Sequence, residues 1–430
     1  MNFENSRAFA QQLDANNELK NFRSRFHIPM HNGKESIYFT GNSLGLQPVK
    51  ASEYLLREME DWARLGGEGH MDARQPWIPY HEIFPQQLSK IIGCLPQEVV
   101  VMNSLTVNLH LLMVSFYKPT AKRYKILMEQ KAFPSDQYAI ESQVKFHQLD
   151  PKDTIIDIKT WGDEQTIRHG DIINAIQEYG DSLALVLIGG VNYYTGQVFD
   201  MKDITKAAHE AGAIAGFDLA HAAGNIELQL HDWDVDFACW CTYKYLNSGP
   251  GAVGGAFIHE RHTTNTAINR FAGWWGHKKE TRFKMEPGFQ PIPTAEGWQL
   301  SNAPVFSMAV HKAAIELFEE AGMEKLFKKG KQLSAYLIFL LKDLAAKFPA
   351  HGIYVITPEN ENERGCQVSF IIKKDGKSVF NQLVQQGVSA GWREPEVIRV
   401  APVPLYNTFE EVWQFSEMIS KILAATKVVA

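Results

Sequence analysis

An aspartate and a lysine stand 26 positions apart, each closing an apolar run: Ala213–Phe217 leads to Asp218, and Phe237–Thr242 leads through Tyr243 to Lys244. Both runs read as buried strands, so both side chains are expected at strand ends, where open α/β sheets place their chemistry. Lysine is rarely buried without a partner or a task. An acid and an amine on neighbouring strand ends suit a cofactor with a basic ring nitrogen and a reactive aldehyde. Pyridoxal 5′-phosphate (PLP) has both, and its usual protein partners are a Schiff-base lysine and a carboxylate at the pyridine nitrogen. Taken singly, each residue reads two ways: Lys244 as a snorkelling surface lysine, and Asp218 as a helix cap. Their pairing favours chemistry.

The composition sets the outer limits. The chain has 430 residues, 45% hydrophobic and 21% charged, with a net charge of −6 from 43 basic and 49 acidic residues. That length supports more than one hydrophobic centre. The mild acidity and scattered basic residues give no support for nucleic acid or an anionic membrane as partner. Four cysteines, at 94, 239, 241 and 366, are too sparse for a disulfide scaffold. The first residues lack the pattern of a secretory signal, and no apolar run approaches the ~20 residues that span a bilayer. A cytosolic protein is expected.

Two formal motifs are set aside. Gly249-Pro-Gly251-Ala-Val-Gly254 fits G-x-G-x-x-G but precedes a strand-like run instead of following one. His259-Glu-Arg-His262 lacks the i, i+4 spacing that puts two histidines on one helix face. No metal site is expected.

The positioning elements follow in order. Residues 4–26 read as helical, and the turn formers Gly41–Pro48 lead into a helix over Val49–Arg64 with Leu55, Leu56, Met59 and Trp62 on one face. His70 sits in the Gly-rich loop 66–77. The run Val99–Met102 meets Asn103-Ser-Leu-Thr106 at the start of a helix. Such a junction reads either as an ordinary N-cap or as a phosphate seat on free backbone N–H groups. Strands and helices then alternate, which predicts a mostly parallel sheet between helices. Near 295–300 the pattern changes to a smaller α+β domain. It opens with a helix capped by Asn302 and closes with a helix begun by a Thr408…Glu411 capping box. The expected division is a segment 1–40, a large domain 41–297 and a small domain 298–430, residues 1–40 packing with the small domain.

With these residues in place the chain resembles the kynureninase family, PLP enzymes of fold type I close to the class V aminotransferases. The resemblance runs through Gly41–Pro48, Phe133-Pro134-Ser135-Asp136, Tyr194–Gln197, Gly216–His221, His231-Asp-Trp233, Tyr243–Asn247, Gly273–His277 and Arg399–Asn407. It implies hydrolytic Cβ–Cγ cleavage of L-kynurenine to anthranilate and L-alanine, of 3-hydroxy-L-kynurenine to 3-hydroxyanthranilate and L-alanine, or of both. It implies that Lys244 carries PLP and serves as base, that Asp218 partners the ring nitrogen, and that Tyr243 is the general acid. Phe133 would stack on the ring, with Pro134, Ser135, Asp136 and His221 around it, and Leu105, Thr106 and Tyr243 would hold the phosphate. Trp274 and Asn302 would come from the partner subunit of a homodimer. Arg399 would clamp the substrate carboxylate beside Ser43, and His70 with Asn302 would face the aryl ring and favour a 3-hydroxyl. Gly190 stands where family members often carry serine. A cysteine desulfurase-like lyase using Cys366 is the alternative, although Cys366 abuts a strand.

Overall fold

The computed structural model describes residues 2–265 and 267–425. The apolar runs build one seven-stranded sheet: β1 (Val99–Val101), β2 (Lys125–Glu129), β3 (Ile155–Ile158), β4 (Leu183–Gly189), β5 (Ile214–Asp218), β6 (Phe237–Cys241) and β7 (Gly254–Ile258). Their spatial order is β1-β7-β6-β5-β4-β2-β3. Every pairing is parallel except the two made by β7. β5, β6 and β7 read as continuous apolar runs because helices cover both faces of the sheet. Alternate residues feed two cores: Phe237 and Cys239 point to one, Ala238 and Trp240 to the other.

In chain order the longer helices are α1 (Arg7–Ala15), α2 (Lys50–Leu65), α3 (Pro85–Ile92), α4 (Leu105–Phe116), α5 (Pro134–Phe146), α6 (His169–Tyr179), α7 (Met201–Glu210), α8 (Val305–Ala321), α9 (Met323–Lys347), α10 (Gly376–Gln385) and α11 (Phe409–Ala425). A second, antiparallel sheet joins β8 (Ile353–Val355), β9 (Val368–Ile372), β10 (Gly391–Arg393) and β11 (Val397–Val400) in the order β8-β9-β11-β10. Its core takes Leu333 and Leu337 from α9, Phe415 from α11, and also Ala10, Ile37 and Phe39 from the first forty residues. Asp14 accepts hydrogen bonds from the N–H groups of Phe409 and Glu410 (2.8 and 2.9 Å). A carboxylate there suits the positive end of α11. The capping box forms as expected: Glu411 N donates to Thr408 Oγ1, and Thr408 N to Glu411 Oε2, each at 3.0 Å.

Three local expectations are corrected, and one strand is added. The helix expected over 4–26 breaks after Ala15, because Asn17 Oδ1 takes the Leu19 N–H (2.8 Å) and the chain re-forms as a 3₁₀ turn over Lys20–Arg25. Asn302 does not cap α8; Pro304 holds the cap position and no side chain bonds the first turn. Strand β3 was missed, being a short run at the sheet edge. On α2 the apolar stripe is inverted: Leu56, Met59 and Trp62 are exposed, whereas Glu58 and Asp61 are buried. Trp77 Nε1 and Tyr80 Oη donate to Glu58 (2.9 and 3.0 Å), and Arg74 N and Arg64 Nη2 donate to Asp61 (2.8 and 3.0 Å), which makes the acids the better residues to bury.

Candidate active site

The C-terminal ends of β2, β4 and β5, the N-terminus of α4 and the loop after β6 enclose a cavity of about 260 Å³. Lys244 reaches it buried, and its Nζ donates to His221 Nε2 at 3.0 Å. The ammonium also lies 5.7 Å from the Phe133 ring centroid and 6.0 Å from that of Tyr243. Burial, together with the cations Lys244, Arg399 and Arg393, holds His221 well below the usual imidazole range, so it accepts here as a neutral ring. Burial pushes the Tyr243 phenol up, which keeps its proton in place. The loop is fixed from behind: Gly45 N donates to Tyr243 O (2.8 Å), and a Cβ at Gly45 would stand 2.4 Å from Lys244 O. Glycine is therefore required there.

Three carboxyl groups lie on the cavity floor. Asp218 ends β5 and accepts the Ala220 N–H at 2.6 Å. Asp136 stands in the first turn of α5, bonded by Ser135 Oγ (3.2 Å). Glu129 ends β2. Burial raises the carboxyl pKa of all three, and the Asp218 charge adds to the effect on Asp136 and Glu129. Lys244, the Ala220 N–H and a hydrogen bond from Asp136 act the other way on Asp218. Asp218 is thus the member that keeps a charge, and Asp136 is the proton carrier.

At the opposite wall Ser104, Leu105 and Thr106 line the cavity. The first intrahelical bond of α4 runs from Asn108 N to Ser104 O (2.9 Å), so the preceding amides point toward the cavity end of the helix. Arg399 on β11 is buried, donates to Tyr193 O, and has an Nε without a partner. Burial and the nearby Arg393 lower its pKa to about 10.

Relatives close to this chain carry one name. A kynureninase of Flavobacterium psychrophilum is 56% identical over 98% of this chain and 99% of its own. The kynureninase of Nematostella vectensis is 46% identical over 96% and 93%. Residues 326–419 match the model of the kynureninase C-terminal domain. The chain belongs to the kynureninase family. It is a hydrolase of carbon–carbon bonds that uses PLP to cleave kynurenine. In fold it is similar to a cysteine desulfurase of Thermococcus onnurineus (TM-score 0.75, 17% identity, 95% of this chain and 98% of that one) and to the C-DES cystine C–S lyase (TM-score 0.74, 18% identity, 90% and 96%). The desulfurase reading of the sequence goes no further than this fold. Cys366 is buried against Gly330, and burial pushes its thiol up to about 12, out of reach as a nucleophile.

PLP fits the kynureninase cavity on the residues present. The helix N-terminus with Thr106 suits a phosphate, Phe133 offers a ring face, and the floor offers a buried carboxylate. His221 Nδ1 is buried without a hydrogen-bond partner, as expected of a group whose partner comes with a ligand. The structure gathers Lys244, Tyr243, Asp218, Leu105, Thr106, Phe133, Ser135, Asp136 and His221 on this cavity. Pro134 is the first residue of α5. His70, Ser43, Trp274, Asn302 and Arg399 do not line it, although Arg399 bonds the backbone of the lining residue Tyr193. His70 and Asn302 are exposed, His70 against Trp77 (5.6 Å); Trp274 is 44% exposed and donates from Nε1 to Arg282 O (3.1 Å). A Cβ on Gly190 would meet Leu219 and Ala222 at 2.8 and 3.0 Å, so the position faces packing. Glu129 and Tyr193 were missed: one reads as a strand end, the other as one tyrosine in a turn.

Proposed function

We propose that Lys244, Tyr243 and Asp218 carry the kynureninase reaction of this chain, with Arg399 as the clamp for the substrate carboxylate. The observation that supports this most is a buried lysine sharing one cavity with an acid floor and a helix N-terminus, its Nζ 3.0 Å from His221 Nε2. PLP bound there supplies the electron sink for the carbon that loses its proton. Lys244 Nζ takes the substrate α-proton, and neutral His221 aligns that nitrogen. Asp218 would offer its negative charge to the ring nitrogen of the bound cofactor and keep that nitrogen protonated. Leu105, Thr106 and Tyr243 would hold the phosphate, and Phe133 would cover the ring. Tyr243 keeps its phenolic proton and delivers it to the alanyl fragment. Arg399 turns its unpartnered Nε and its fork to the substrate carboxylate, a planar bidentate match.

His70, Trp274 and Asn302 complete this site from a second copy, with Ser43 near the entrance. The exposed stripe Leu56, Met59 and Trp62, with Phe306 packed on Trp62 at 5.9 Å, supports a homodimer that buries it. Sedimentation gives a two-chain mass on this reading, and a one-chain mass removes it. The polar His70 and Asn302 support acceptance of 3-hydroxykynurenine alongside kynurenine. Four free cysteines support a cytoplasmic setting.

One assay series tests the roles, following anthranilate and 3-hydroxyanthranilate from both substrates. Lys244→Ala is expected to lose steady turnover on both, and retained turnover sinks the assignment. His70→Phe is expected to lower kcat/KM for the hydroxylated substrate more than for kynurenine; an equal change removes the aryl-ring role.

A further inference from the structure

Glu129 is the carboxyl group on the cavity floor that the roles above leave unused. It ends β2, while Asp218 ends β5, and β4 lies between them. Gly189 closes β4, pairs with Asp218, and offers its N–H to both Glu129 oxygens at 3.2 Å. A Cβ at Gly189 would lie 3.0 Å from Glu129 Oε1, so the absence of a side chain lets the carboxyl reach across the strand end. Glu129 is 4% exposed. The titratable groups that face it are Asp218 and Asp136, while the cation Lys244 acts on Asp218. The Glu129 N–H and that of Gly189 favour the charged form of the Glu129 carboxyl, but burial together with the Asp218 charge outweighs them.

We infer that Glu129 is a positioning residue that holds a proton on the cavity floor, so that Asp218 alone carries the charge beneath the cofactor. The inference rests on the Asp218 role proposed above. Two like charges this deep repel one another, and the proton removes that repulsion. Burial pushes the Glu129 carboxyl up to about 7, which places the loss of this proton near neutral pH. Above that pH the floor gains a second charge, and the protonated form of any basic group on the bound cofactor is favoured.

The experiment compares wild type with Glu129→Gln, a neutral group of the same shape, in the PLP-loaded enzyme. The visible absorbance of the bound cofactor is followed against pH, with thermal unfolding at each point. Wild type is expected to show a spectral step near neutral pH that E129Q lacks. The native state of wild type binds the extra proton, so its stability falls as pH rises from about 4.5 to 7. The Tm of E129Q relative to wild type should therefore climb over the same range. A Tm difference independent of pH, or a spectral step that survives in E129Q, overturns the inference. If E129Q does not fold, infrared spectra of wild type decide: a protonated-carboxyl band that disappears through neutral pH on labelled glutamate supports the inference, and its absence refutes it. Failure of the Asp218 role looks different, as Asp218→Asn would then leave the cofactor spectrum unchanged at every pH.

Discussion

Two aspartates lie 18 positions apart on adjacent strands, both buried, and they are treated in opposite ways. Asp236 immediately precedes β6, at the end of the sheet away from the cavity. It accepts from Ala215 N and His209 Nε2 at 2.8 Å, His262 Nε2 at 2.7 Å and Arg261 Nη2 at 2.6 Å. Burial opposes its charge, yet these partners outweigh burial and hold the carboxyl far below its ordinary range. Asp218 has one backbone N–H, one lysine and two further acids for company, and burial wins: its pKa is raised. A buried carboxylate with every lone pair answered is part of the frame. One left partly unanswered is a place for an incoming cationic group.

The pair of substitutions Asp218→Asn and Asp236→Asn separates these roles. D218N should lower kcat about 10²–10³-fold, the usual loss when one preorganised electrostatic partner is removed. It should leave Tm equal or higher, because a strained buried charge is gone. D236N should cost about 1–3 kcal/mol of stability, because the partly buried Arg261 and His209 lose the carboxylate that answers them, while the folded fraction retains its specific activity. Chemical denaturation and assays of both variants check this. Loss of activity without loss of stability in D236N would abolish the distinction.

A smaller effect appears in the pH dependence of wild-type stability. Asp236 has a folded pKa below its unfolded value, so its contribution is present above pH ~4 and is lost as pH falls below that. Glu129 and Asp218 have raised folded values, so they favour the native state at low pH and lose that advantage as pH climbs, Glu129 through about 7. Measured against Glu129→Gln, in which the opposing contributions of buried His221 and His311 are unchanged, wild-type Tm should therefore fall from about pH 4.5 to 7, and D236N should lack a separate decline below pH 4. A difference between wild type and E129Q that rises with pH over this range would contradict the signs assigned to the floor.

The difference also shows what a sequence makes legible. Lys244 and Asp218 stand out because a charge at the end of an apolar run is visible locally. The strands β5 and β6 were readable for the same reason, and the capping box of α11 and the turn before α4 as local motifs. Glu129 was not, since its partner Gly189 lies 60 positions away and its burial depends on strand order. The inverted face of α2 was hidden likewise: Glu58 and Asp61 are answered by Arg74, Trp77 and Tyr80, outside any helical window. His70, Trp274 and Asn302 carry a family likeness that one chain's cavity does not by itself explain. Their exposure, with that of Trp62, turns this into a question about the second copy.

Two buried lysines give the most direct test of the central claim. Lys244 lies in the cavity beside His221, whereas Lys329, its pKa lowered to about 8 by burial, donates to Pro404 O at 2.7 Å in the contact between α9 and the chain before α11. Borohydride reduction of the PLP-loaded protein followed by peptide mapping locates the cofactor's attachment. The label is predicted on Lys244 in stoichiometric amount; a label on Lys329, or none on Lys244, would contradict the account.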